Sequence, residues 1–246
     1  MAKMGFRTDV GKRRTDNEDA LLVLPRHSIY LVADGVGGHN SGELASRKAV
    51  SGTEAFLTRN PVEAAHGAAH PDAALMAYFL RCFREINAEI CALAQADPAN
   101  RGMATTAVLA HILRNKLFVV NVGDSRAYLV RAEEISRITT DHSVVNDMVA
   151  RGELTEEQAR VHPRRNEITR ALGAEADVAP DFFATELLSG DRVLLCTDGL
   201  CGELSDDDIR GIVARGANLN DTCRMLVDSA NANGGSDNIT VVCIEI

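Results

Sequence analysis

Nowhere in its 246 residues does the chain string together the roughly 18 to 20 apolar residues that a membrane-spanning helix needs. Its first residues, MAKMGFRTDVGKRRTDNED, lack the apolar centre of a secretory signal, so no membrane attachment is expected. C-x-x-C pairs are missing too. The cysteines Cys82, Cys91, Cys196, Cys201, Cys223 and Cys243 fit neither a zinc nor a disulfide framework, and Cys196 and Cys243 lie in apolar runs that read as buried strands. Reduced thiols and a cytoplasmic location are the expectation. Positive charge is also scarce: 26 Lys and Arg against 35 Asp and Glu leave a net charge of −9, which disfavours nucleic acid or any polyphosphate gripped by Lys and Arg alone. A phosphate-bearing substrate would require something else to neutralise the acids. There is no internal repeat, heptad run or low-complexity tract. What is present is the composition of a folded protein, 46% hydrophobic and 25% charged, long enough to bury a core of its own as one domain.

Short strands are predicted at Ala20–Leu24 and Ile29–Ala33, the second running into Asp34 and a glycine-rich loop, Gly35–Gly42. A helix over Gly42–Leu57 and a longer one over Pro71–Ala96 follow from apolar residues at helical spacing, with NPVEAAHGAAHPD as their connector. Three further strands, Thr105–Leu113, Leu117–Val122 and Ala127–Arg131, read as a meander. Residues 141–173 change character: two helical patches, Ser143–Arg151 and Thr155–Arg160, sit among polar turns in a small insertion. Strands at Phe182–Leu188 and Arg192–Thr197 resume the core. The run Ser205-Asp206-Asp207-Asp208 places a hydroxyl at a helix N-cap and an acid at N3, a capping pattern rather than a metal site. A helix near Thr222–Ala232 and a strand over Ile239–Ile246 close the chain.

Acids repeatedly flank apolar strands beside glycine or asparagine: Asn17-Glu18-Asp19 before ALLVL, Asp34-Gly35 after IYLVA, Asp198-Gly199 after RVLLCT, and Asp237-Asn238 before ITVVCIEI. A strand end lifts its side chain to the rim of a sheet on a rigid backbone, so four such sites can meet although they are distant in sequence. Converging carboxylates repel unless they are protonated or bridged by cations. Hard divalent ions such as Mg²⁺ and Mn²⁺ prefer oxygen ligands, and this set supplies carboxylates and the Gly35 carbonyl with no cluster of His or Cys. A two-metal hydrolytic centre is the natural reading. One Asp-Gly pair alone is an ordinary turn; the weight lies in the four together.

With these residues in place, the chain resembles, over nearly its whole length, the bacterial branch of the PPM family of metal-dependent protein serine/threonine phosphatases (type 2C). The matching segments, in order, are TDVGKRRTDNEDA, LVADGVGGHNSGELAS, GMATTAV, NVGDSRAYLV, ITTDHSVVNDMVARGELT, HPRRNEITRALG, LLCTDGL and GGSDNITVV. The resemblance implies an α/β fold, a four-layer α-β-β-α sandwich with two central antiparallel sheets, in which residues 1–246 form one catalytic domain and 141–173 its flap. It implies two Mn²⁺ or Mg²⁺ ions per site, held by Asp19, Asp34, the Gly35 carbonyl, Asp198 and Asp237, with Glu18 holding metal-bound water. Asp124, in the GDSR turn, would serve a third and weaker ion, and Arg14 would bind substrate phosphate. The implied reaction is direct hydrolysis: a water bridging the two ions attacks phosphorus in line, the cations and Arg14 stabilise the developing charge, and no enzyme nucleophile is required. Implied substrates are phosphoproteins, with a bacterial Ser/Thr kinase as the opposing partner, and the chain would work as a monomer.

Three positions depart from the family pattern. Val36 stands where relatives from higher organisms carry a histidine proposed as general acid, which leaves metal-bound water or His162 for that role. Gly202 replaces an acidic third-metal ligand, so that site is weakened or incomplete. Ala104 replaces a usual glycine. In the flap, Arg164 and Arg165 are either phosphoprotein contacts or a solvated basic turn.

Rival readings lack parts. An esterase of the GDS type with Ser125 as nucleophile needs a downstream D-x-x-H pair, and the chain offers only Asp141-His142 side by side. A phosphate loop at Gly37–Leu44 needs a lysine where Glu43 stands, and the last glycine of a G-x-G-x-x-G pattern falls on Asn40. A catalytically dead phosphoprotein-binding module would not need Arg14, Asp19, Asp34, Asp198 and Asp237 together. His66 and His70 have metal-like spacing, but Pro71 follows and no third ligand is in view.

Overall fold

The computed structural model describes residues 3–37, 41–216 and 218–246; positions 38–40 of the expected glycine-rich loop, which include Asn40, lie outside them. One antiparallel sheet runs β1 (Lys3–Asp9), β11 (Ile239–Glu245), β10 (Arg192–Cys196), β7 (Arg126–Arg131) and β8 (Glu134–Arg137). The other runs β2 (Asp19–Leu24), β3 (Ile29–Val36), β5 (Ala107–Leu113), β6 (Lys116–Val122) and β9 (Asp181–Glu186), and β4 (Ala104–Thr105) pairs with the end of β3.

Helices cover the outer faces, giving the α-β-β-α order. On the second sheet lie α1 (Ser41–Arg59) and α3 (Pro71–Ala96), which bury Phe56, Phe79 and Phe83 against Ile29, Leu31 and Ala33 of β3. The opposite face of that strand, Tyr30 and Val32, packs between the sheets against Leu129, Val193 and Leu195. A strand covered on both faces must be apolar at every position, which is why IYLVA shows no alternation. On the first sheet lie α7 (Asp206–Arg215) and α8 (Leu219–Asn233), whose Ile209, Val213, Leu226 and Val227 meet Leu194, Val241 and Cys243. Every cysteine is free, and all but Cys91 are buried. Among the described residues no helix is long and apolar enough to cross a membrane.

The expected elements appear with some shifts. The predicted strand over Thr105–Leu113 breaks at Thr106: its N–H keeps the in-register bond to the Asp34 carbonyl at 2.8 Å, but the Asp34 N–H donates to the Thr106 hydroxyl at 3.0 Å rather than to its carbonyl. The last helix starts at Leu219 rather than Thr222, because the Asn218 side chain caps the N–H groups of Asn220 and Asp221. Edge strands β1 and β8 have no apolar run to announce them, and the proline-containing connector holds a single helical turn, α2 (Glu63–His66). The capping pattern at Ser205 is real: its hydroxyl accepts from the Asp208 N–H while the Asp208 carboxylate accepts from the Ser205 N–H, each at 3.1 Å.

Candidate active site

Antiparallel pairing of β2 with β3 sets Asp19 directly opposite Asp34. Asp198 opens the short helix α6 (Asp198–Cys201) where β10 ends, and Asp237 immediately precedes β11, the neighbour of β10. Asp19 is buried; the Thr197 hydroxyl donates to its Oδ2 at 2.9 Å and accepts the Thr240 N–H at 3.0 Å. The Asp34 and Asp198 carboxyl groups are near enough to each other to share a proton. Burial, and then the surrounding carboxylates, push Asp34 well above the ordinary aspartate range and raise Asp124 and Asp198 as well. Burial, opposed by the Thr240 and Thr197 hydrogen bonds, carries Asp19 up to about 7.

Asp237 engages a different partner. Its Oδ2 accepts from Arg14 Nη2 at 2.7 Å, and half of the Arg14 side chain faces solvent. Among the described residues no group of three or more His, Cys, Asp or Glu side chains is arranged as a ready ion cage. The donor chemistry nevertheless fits hard divalent cations. All the converging ligands are oxygens, and two of them, Asp19 Oδ1 and Asp198 Oδ1, are buried with no hydrogen-bond partner.

Two small residues admit this crowding. Gly42, in the first turn of α1, lies so close to Glu18 that a Cβ there would stand 2.8 Å from the carboxyl carbon. A Cβ on Gly35 would in turn run into the Gly42 carbonyl. The loop carrying Arg14 and Glu18 is pinned by Asn238: its Oδ1 accepts the Glu18 N–H at 2.8 Å, and its Nδ2 donates to the Val10 and Asp16 carbonyls, each at 2.9 Å. The asparagine of the Asp-Asn pair thus ties the two chain ends together, a role that sequence reading left unassigned.

The GDSR turn is wired into the same centre. Thr106 Oγ1 accepts the Asp34 N–H at 3.0 Å and lies 2.7 Å from Ser125 Oγ. Ser125 is fully buried, which removes it as a nucleophile. Gly123 has φ +103°, and a Cβ there would meet Thr106 Cγ2 at 2.5 Å, so only glycine fits this turn.

Residues 141–173 form a lobe over one side. Its neck closes through isolated antiparallel bridges, Ser143 with Ile168 and Thr105 with Leu172. Two helices, α4 (Val144–Ala150) and α5 (Glu156–Arg160), are capped by Ser143 and Thr155. Between lobe and core lies a cleft lined by Asp124, Arg126, Arg137, Arg160, Arg165 and Asp198, among others. At its floor Arg126 grips Asp141 with two nitrogens, Nε at 3.0 Å and Nη2 at 2.6 Å. His162 is not among the residues that line this cleft with Asp124 and Asp198; its Nδ1 accepts the Arg164 N–H at 3.1 Å within the turn after α5. Arg164 pairs with Glu167, whereas Arg165 faces the cleft. Val36 is exposed beside the glycine-rich loop, and Gly202 lines the cleft with no carboxylate to offer.

The model of the protein phosphatase 2C family matches residues 11–234. Protein phosphatase PhpP of Streptococcus pneumoniae is 36% identical over 242 residues, covering 97% of this chain and 95% of that protein. The crystal structure of the serine/threonine phosphatase Stp1 from Staphylococcus aureus superposes with TM-score 0.91 at 31% identity, over 100% of this chain and 95% of that one. The catalytic domain of the serine/threonine phosphatase PstP, solved with two manganese ions, superposes with TM-score 0.84 at 32% identity, over 99% and 97%. The chain belongs to the protein phosphatase 2C family, in its bacterial PPM branch. It is therefore an enzyme, a serine/threonine phosphatase.

Proposed function

We propose that the chain hydrolyses phosphoserine and phosphothreonine in proteins, using divalent Mn²⁺ or Mg²⁺ held by Asp19, Asp34, the Gly35 carbonyl, Asp198 and Asp237, with Glu18 behind them. The observation that carries this reading is the pair of buried, unpartnered oxygens on Asp19 and Asp198 inside a cluster of acids raised by burial and mutual repulsion. When bound, such ions relieve that repulsion, stabilise charge on the phosphoryl group and make water acidic enough to attack at neutral pH.

The remaining work falls to the chain. Arg14 keeps its charge at any working pH and offers, besides the nitrogen on Asp237, further N–H groups to phosphoryl oxygens from a half-exposed position. Thr197 holds the Asp19 carboxylate against the repulsion of its neighbours, and Thr106 fixes the backbone from which the Asp34 carboxylate projects. The fully buried Ser125 supports a direct displacement without a covalent serine intermediate. Residues 141–173 would act as the flap of a single catalytic domain, and Asp124, on the cleft side, as the holder of a weaker third ion. Free, mostly buried cysteines accord with a reducing cytoplasm, where a bacterial Ser/Thr kinase would supply the phosphoproteins.

The test is phosphate release from phosphoserine and phosphothreonine peptides, with a phosphotyrosine peptide as control, in Mn²⁺, in Mg²⁺ and in excess chelator. Turnover that survives chelation, or that is confined to phosphotyrosine, sinks the proposal.

A further inference from the structure

The Asp141-His142 pair, which no catalytic step uses, lies where the lobe of residues 141–173 leaves the core. His142 is almost completely buried. Its backbone N–H donates to the Gly123 carbonyl at 3.0 Å, and the Gly123 N–H donates back to its Nδ1 at 3.1 Å. An N–H can only donate, so Nδ1 must carry a lone pair and the neutral ring holds its proton on Nε2. That proton points to Asp181 Oδ2, 3.2 Å away on β9. Arg170, near the lobe's exit, places Nη1 3.2 Å from Nε2 and 3.1 Å from Asp181 Oδ1; since Nε2 already bears a hydrogen, the carboxylate is the acceptor. Asn121 adds a second tie, its Nδ2 donating to the Gly123 and Thr140 carbonyls, each at 3.2 Å. Burial holds the imidazole below its ordinary pKa, in keeping with the neutral form this wiring needs.

We propose that His142 is a positioning residue that couples the flap to the acid centre: Nδ1 clamps the Gly123–Asp124 turn, while Nε2 anchors the flap exit through Asp181 and Arg170. The turn is built on a glycine at positive φ, which brings no side chain of its own to hold it. Without the clamp, Asp124 is free to drift from Asp198, the carboxylate beside it in the cleft. The inference rests on the reading of Asp124 as an ion-holding acid.

Two substitutions separate the two ring nitrogens. In His142→Asn the Oδ1 falls near the place of Nδ1 and can still accept the Gly123 N–H. In His142→Gln the amide falls near the place of Nε2 and leaves Gly123 unpaired. The Gln variant is expected to speed Gly123 amide exchange at least about tenfold. It should lower kcat on a phosphoserine peptide about 10- to 100-fold and raise the Mn²⁺ concentration for half-maximal activity by a similar factor, as losses of outer-shell support do, with KM changed less than about threefold. The Asn variant should recover all three readouts to within about threefold of the unmodified protein. Asp181→Asn should leave Gly123 exchange unchanged and speed tryptic cleavage at Arg164 and Arg165, and this variant keeps the test open should the Gln variant not fold. Equal losses in the Asn and Gln variants, or unchanged Gly123 exchange in the Gln variant, overturn the proposal. So does accelerated Gly123 exchange in Asp181→Asn. If the unmodified protein shows no metal-dependent turnover, the functional reading fails instead, and exchange and proteolysis still decide the clamp.

Discussion

Gly42 is the second residue of α1, and its backbone has no need of positive φ. Alanine there suits a helix better than glycine by up to about 1 kcal/mol. The added Cβ, however, would stand 2.8 Å from the Glu18 carboxyl carbon and 2.9 Å from both carboxylate oxygens, well inside contact distance. Those atoms are the far end of a flexible side chain, so the carboxylate swings away and the backbone stays. Gly42→Ala is therefore expected to leave Tm unchanged or raise it by about 2–4 °C. It should lower kcat/KM on a phosphoserine peptide by about 10- to 100-fold, the usual cost of disturbing a group that supports metal ligands. Thermal melting and a Mn²⁺ titration of activity read the two effects separately. A fold as stable as the parent with full activity refutes the use of the Glu18 carboxylate by the site, and a clear loss of Tm refutes the steric reasoning.

Asp34→Asn is expected to abolish turnover, by about 10³-fold or more, while raising the Tm of chelator-treated protein, because one member of a repelling buried set becomes neutral; an active variant or a lower Tm counts against this. For Asp19 the folded-state pKa lies above the unfolded value, about 7 against 3.8, so the folded state binds the proton more tightly. Stability in chelator should then fall as pH rises from about 4 to 7, by about 4 kcal/mol from this group, and saturating Mn²⁺ should flatten the slope; a Tm in chelator that rises over that window contradicts it. Arg14→Ala should raise KM for a phosphopeptide about tenfold or more, the worth of a charge-assisted hydrogen bond, and an unchanged KM and kcat removes Arg14 from the site.

The layers were legible because their signals are local. IYLVA and VLLC are apolar throughout, α3 keeps helical spacing from Pro71 to Ala96, and Ser205 with Asp208 spells a cap. The acids were legible because each adjoins such a strand. Edge strands β1 and β8 were not, since KMGFRTD and EISR bury too few side chains to show a period. The contacts of His162 were equally hidden: a histidine after a short helix reads the same whether its ring faces a phosphate or, as here, its Nδ1 accepts a backbone N–H two residues on. Partnerships between distant blocks, such as Asn238 with Glu18 or His142 with Gly123, leave no trace in spacing at all.

These partnerships explain how so many acids stay together. Three of the acids sit beside a neutral side chain that is spent on another block's backbone or acid: Thr197 on Asp19, Asn238 on the Glu18 loop, Thr106 on the Asp34 backbone. Of these, Thr106 can be isolated most cleanly. Its hydroxyl receives the Asp34 N–H, and a valine of similar shape would leave that donor unpaired at a cost of about 1–3 kcal/mol. Ser125→Ala removes only the hydroxyl 2.7 Å further along the chain of contacts and leaves the Asp34 N–H satisfied. Thr106→Val should therefore lower both Tm and kcat, whereas Ser125→Ala should cost about 1 kcal/mol of stability and keep kcat within about threefold. The reverse ranking, with Ser125→Ala inactive and Thr106→Val tolerated, would restore the serine as a nucleophile and break the link between the GDSR turn and the acid at the end of β3.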